Sequence, residues 1–260
     1  MTTQNALPAT LLREVLDGLT ADRVDHALVR EPSRDGLGLL EADLLVAPAS
    51  LERVERRLTE LGFARRPAWG RRPHRFYVRP IVDDGRVDWL KIDLVTDLSF
   101  GRWHELTTRI AARCLAERDR TDPDRLAPAD ELLAQLLHGL LDGRGLGAKG
   151  RARLVAREPL AARPAALAAW ATPEDAGWPT WDAITEAIRQ EDWLAIDSMA
   201  GPLQARLASG RSGEVAVRRT ANRTARRSVK ALTALAGRGR VVALVGPDAV
   251  SYTHLTLPTN

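Results

Sequence analysis

Apolar residues recur three and four positions apart at Leu11, Leu12, Val15, Leu16 and Leu19, which predicts an amphipathic helix over 8–19. The pattern then changes. Short apolar runs at 26–30 (HALVR) and 40–46 (LEADLLV) predict strands. Helical spacing returns after Pro48 and Ser50, with Leu51, Val54, Leu58 and Leu61 on one face of a helix over 50–61 and Gly62 as its stop. Further strands are predicted at 75–79 (RFYVR) and 87–95 (VDWLKIDLV), joined by the turn-like Asp83-Asp84-Gly85. Strand, strand, helix and then a hairpin of strands is an α+β order, not a βαβ repeat.

From about 106 to 236 the spacing is helical throughout. The stretch from Leu126 to Leu141 places Pro128 in a first helical turn and Asp130 and Glu131 near the positive helix end. Helices over 150–157, 164–171, 180–190 and 192–208 fit the remainder, and no repeat of fixed period is present. Residues 240–246 (RVVALVG) form a continuous apolar run ending in Gly, as in a strand buried on both faces. This run predicts the first strand of a new domain.

Composition changes this picture little. The chain is 45% hydrophobic and 28% charged, which excludes a disordered protein and permits a sizeable core. The net charge of +4 is carried almost wholly by Arg and suits phosphate-bearing ligands as well as a solvated basic surface. Cys114 stands alone, so no internal disulfide can form. No apolar run approaches the roughly 18 residues of a membrane span. A soluble, cytoplasmic protein is expected. Between 211 and 240 nine basic residues face Glu214 alone. With Val215, Val217, Val229, Leu232 and Leu235 among them, an amphipathic connector is favoured over a nucleic-acid-binding helix. His138 lies on the apolar helix and is expected to pack, and no His spacing matches a metal site.

Chemistry concentrates in three acids. Glu41 and Asp43 lie two apart in a predicted strand, so both point to one face. Asp93 interrupts the apolar run Trp89-Leu90-Lys91-Ile92-Asp93-Leu94-Val95, where a carboxylate is costly unless paired or bound to metal. Convergence of the three would hold Mg²⁺ and a nucleotide triphosphate. The alternative is that Glu41 and Asp93 are ion-paired with Arg residues such as Arg30, Arg75 and Arg79.

An acid-x-acid strand, a helix and a later strand with a third acid resemble the nucleotidyltransferase fold over residues 22 to about 100. The resemblance implies catalytic and metal-binding roles for Glu41, Asp43 and Asp93, with Mg²⁺ and ATP or another nucleoside triphosphate as cofactors. It places Arg30 and Ser33 where the family's Gly-Gly or Gly-Ser pair meets the triphosphate; this chain has Arg30-Glu31-Pro32-Ser33 there, and Glu41 replaces the usual first Asp. Residues 241–248 (VVALVGPD) resemble the opening of a thymidylate kinase-like P-loop domain, which implies phosphate-binding roles for Gly246 and Asp248. Residues 250–260 (VSYTHLTLPTN) resemble a translated transposase-type sequencing adapter and are expected to have no packed partner.

The expected organisation is therefore a nucleotidyltransferase-like mixed sheet with helices over 1–105, then an all-helical domain and basic connector over 106–236. A truncated P-loop domain would start at 237–249, and an adapter remnant would follow. The expected function is that of a fragment of a nucleotide-handling transferase without kinase activity of its own. A catalytically inactive regulatory module and a basic nucleic-acid-binding protein are the alternatives. The expected partner is a nucleotide substrate; nucleic acid is not favoured.

Overall fold

The computed structural model describes residues 6–34, 39–68, 70–83, 86–142, 145–158 and 180–235, and the short pieces 244–245 and 251–252. Its first half is α1 (Ala6–Ala21), β1 (His26–Leu28), β2 (Ser33–Arg34), β3 (Leu39–Val46), a 3₁₀ turn at Pro48–Ser50, α2 (Leu51–Glu60), β4 (Ala64–Arg66), β5 (Arg75–Asp83) and β6 (Arg86–Val95). The hairpin β7 (Ser99–Phe100) and β8 (Leu106–Thr107) follows. Then come α3 (Ala111–Ala116), α4 (Pro128–Leu141), α5 (Ala148–Arg157), α6 (Trp181–Arg189), α7 (Trp193–Ser198), α8 (Ala200–Ala208) and α9 (Ser212–Leu235). The fold is mixed α+β.

The six-stranded sheet runs β1-β3-β6-β5-β4, with β2 also on β3. β3 and β6 pair in parallel, and every other pairing in this sheet is antiparallel. Side chains alternate across it, and the alternation decides everything that follows. Leu40, Ala42, Leu44 and Val46 of β3 join Leu90, Ile92 and Leu94 of β6 under α1 and α2, against Leu12, Val15, Leu16, Leu19, Val54 and Leu58. Glu41, Asp43 and Leu45, with Lys91, Asp93 and Val95, take the other face.

At the C-terminal ends of β3 and β6 that second face is covered, because Leu45 and Val95 pack with Leu98, Leu106, Ile110, Leu132, Leu133 and Leu136. The cover stops one residue pair short of the acids. α4 and α5 stand opposite, and Gly139 lets them close: a Cβ there would lie 2.1 Å from Leu146 Cδ2.

Among the described residues of 106–236, several stretches depart from continuous helix. Leu106–Thr107 is strand β8, and no helix is assigned over 117–127. There Asp119 accepts bonds from both the backbone and the hydroxyl of Thr121, a local turn that competes with helix. Leu28 N donates to Asp124 O and Leu126 N to Leu28 O, so this strap covers the free edge of β1. The expected single helix 192–208 is two, meeting at Met199. The helix expected at 164–171 lies outside the described residues.

Of the expected strand 240–246, Leu244–Val245 is strand. It pairs in an antiparallel backbone ladder with Ser251–Tyr252.

A carboxylate cluster at the floor of a basic cleft

Parallel pairing sets Asp43 directly beside Asp93 and Glu41 beside Lys91. Because 41, 43 and 93 share the sheet face left open by α3 and α4, the carboxylates of Glu41, Asp43 and Asp93 converge, with oxygens within 4.8 Å of one another. Three negative charges at that spacing require compensation. Each has its own basic partner. Arg30 Nε donates to Asp43 Oδ2, Lys91 Nζ lies 2.5 Å from Glu41 Oε1, and His74 Nδ1 lies 2.9 Å from both oxygens of Asp93. As a carboxylate can only accept, the His74 proton sits on Nδ1, which leaves buried Nε2 without a hydrogen-bond partner.

The partners differ from the expected Arg pairings. Arg30 serves Asp43 instead of Glu41 or Asp93, and Arg75 bonds Glu55 at 3.0 Å. Lys91 is neighbour to Glu41 because the register makes it so. His74 comes from the loop before β5, where no spacing in the sequence marks it as a ligand or base. Its ring lies 4.2 Å from that of His104 at a tilt of 47°, and the His104 pKa is lowered to about 4 by burial and then by the neighbouring His74. Asp97, half-buried just beyond β6, is raised by its partial burial even though it accepts from Leu98 N, Thr108 Oγ1 and Arg109 N.

The acids floor a cleft of about 910 Å³ between the sheet face and the helices. Phe76 lies in it, with Lys91 Nζ 4.7 Å and the Arg71 guanidinium 5.6 Å from its ring centroid. The far wall holds Lys149 and Arg153 of α5, one helical turn apart on the same side. His138 is exposed, lines the cleft and bonds Asp142 at 2.7 Å, so it is not the packing histidine expected from its apolar neighbours. Most of α4 is buried, and His138 is its one exposed position.

Among the other expected site residues, Arg30 reaches the cleft. Ser33 pairs with Glu41 across the β2–β3 ladder and is not among the residues lining the cleft. Gly246 and Asp248 lie outside the described residues. No protein-family model matches this chain, and no curated protein or solved structure is significantly similar to it. What the site can do therefore follows from its own chemistry.

Proposed function

We propose that the sheet domain binds a nucleoside triphosphate as its Mg²⁺ complex and acts as a nucleotidyltransferase-like module. One observation carries this reading: three carboxylates, drawn from two parallel strands in register, converge at the floor of a cleft of nucleotide-binding size. The donor set fits the ion. All three ligands are hard oxygens, as Mg²⁺ prefers, and together they supply the negative charge that a divalent cation and the side chains now beside them share. A bound Mg²⁺ would neutralise charge on the phosphates.

The protein's own groups divide the remaining work. Arg30 and Lys91 are long, flexible cations about three-quarters covered, and each can move from its acid to a phosphate oxygen. His74 fixes the orientation of Asp93 through Nδ1. Phe76 offers an apolar ring, bordered by cations, against which a base or sugar can pack.

A second reading has its own observation. Every acid already has a basic partner within hydrogen-bond distance, the arrangement of a self-compensated, inactive module. Titration calorimetry on the full chain separates the two. Binding of Mg²⁺-ATP that disappears in Asp43→Ala supports the metal site. Binding that survives in Asp43→Ala overturns it, and no binding by the parent chain favours the inactive module. For 237–249 we propose a likeness to the phosphate-binding opening of thymidylate kinase-like proteins, supported by the sequence pattern alone.

A further inference from the structure

Three arginines line the end of the cleft beside His74: Arg71 from the loop before β5, Arg102 from the turn between β7 and β8, and Arg226 from α9. They are 31 and 124 residues apart in sequence, and none has an acidic partner among the described residues. Elsewhere along α9, Arg218 pairs with Glu214 and Arg219 with buried Glu105, while Arg223, Arg227 and Lys230 are exposed to solvent; Arg226 is half-buried and faces the cleft. Like charges brought together without an acid repel one another. Partial burial and then the charges of Arg71 and Arg102 lower the pKa of Arg226.

The convergence is built, not incidental. Asn222, one turn before Arg226 and 5% exposed, donates from Nδ2 to the carbonyls of Arg72 at 3.0 Å and Trp103 at 2.7 Å. One buried amide thus pins α9 to both loops that carry the other two arginines. Gly70 permits the approach: a Cβ there would lie 2.4 Å from Asn222 O, and its φ of +67° suits glycine. The indole of Trp103 sits between Arg102 and Arg226, with guanidinium carbons 5.4 and 5.2 Å from its ring. Trp103 holds the two charges in place without neutralising either. Ser99 adds a second polar group: it lines the same cleft, is 6% exposed, and its hydroxyl has no hydrogen-bond partner.

We propose that Arg71, Arg102 and Arg226 form a phosphate-binding subsite of the cleft, distinct from the carboxylate cluster. Guanidinium groups match phosphate oxygens in pairs, and an anion among three of them removes the repulsion that the empty arrangement carries. The ligand is a small phosphate compound with a free terminal phosphate, whether the tail of a nucleotide or a phosphorylated acceptor. The subsite rests on the cleft being a ligand site but needs no metal.

The test uses the full chain in EDTA, titrated calorimetrically with inorganic pyrophosphate and with glycerol phosphate. The parent should bind at least one. Arg71→Gln combined with Arg226→Gln should weaken that binding roughly tenfold or more, since two charge-assisted contacts are lost. Arg71→Gln alone, on an exposed side chain, guards against a folding defect and should show a smaller loss in the same direction. A matching loss of Mg²⁺-ATP affinity in the double variant assigns the subsite to the nucleotide's tail. A loss confined to glycerol phosphate assigns it to an acceptor. Equal affinity of parent and double variant, or no phosphate binding by the parent, overturns the proposal. So does tight binding of a single-stranded oligonucleotide alone, because the cluster would then be part of a nucleic-acid surface. Absence of Mg²⁺-ATP binding with metal-free pyrophosphate binding intact would refute the metal site and leave this subsite standing.

Discussion

Replacing Glu131 by alanine should cost the protein about 3 kcal/mol, and the structure supplies the reasons for that figure. Glu131 is 2% exposed in the first turn of α4 and accepts from Arg125 at 3.0 Å and Gln135 at 3.0 Å, with Arg157 of α5 at 3.4 Å. It therefore joins three parts: the strap along β1, α4, and the cleft wall on α5. Removing one member of a buried pair costs about 3–5 kcal/mol, because the partner charge is left without compensation. Here the two guanidiniums are about a fifth exposed and recover some hydration, which places the cost at the lower end. Arg157→Ala leaves Arg125 and Gln135 on the carboxylate and should cost only about 1 kcal/mol. Urea unfolding followed by circular dichroism and by tryptophan fluorescence measures both, provided the two transitions coincide. A Glu131→Ala variant within about 1 kcal/mol of the parent would refute the reasoning, as would equal costs for the two variants.

Two other outcomes concern single titrating groups. His104 has a folded pKa of about 4 against roughly 6.5 when unfolded, so the unfolded chain takes up a proton that the folded chain refuses. Stability should therefore be level above pH 6.5 and fall as pH drops towards 4. His104→Asn, which tolerates the φ of 51° at this position, should flatten the change in melting temperature between pH 6.5 and 4.5, and an unaltered slope rules the assignment out. Cys114 is fully buried and its thiol pKa is pushed far up by that burial. Alkylation should be negligible in the native protein and fast in urea; rapid native labelling would contradict the packing of α3.

The period of two made the acids legible in the sequence. It put Glu41 and Asp43 on one face, and the mid-strand position of Asp93 among apolar residues marked it as partnered. α1, α2 and the β5–β6 hairpin were equally readable, since their apolar positions repeat cleanly. The partners were not. Lys91 meets Glu41 only through the parallel register, and His74 sits in a loop whose path no pattern fixes. Arg71, Arg102 and Arg226 come together because a single buried amide, Asn222, docks α9, and an Asn within an Arg-rich helix looks like any solvated residue. β8 and the strap at 117–127 were missed for different reasons: β8 is two residues long and is fixed by its pairing with β7, whereas Asp119, Thr121 and Pro123 do carry a local turn signal that the helical reading of 106–236 passed over.

The pairing of Asp43 with Asp93 also bears on how the chain finds its native alignment. Shifting β6 by one residue along β3 would turn Asp93 into the layer formed by Leu16, Leu44 and Leu58 and send Leu90, Ile92 and Leu94 into the cleft. An unpartnered carboxylate in that layer would cost several kcal/mol, so the misaligned sheet is rejected before any ligand is involved. The acidic residues work as a key for strand order, and selection for faithful folding would keep them even in a descendant that had lost all chemistry.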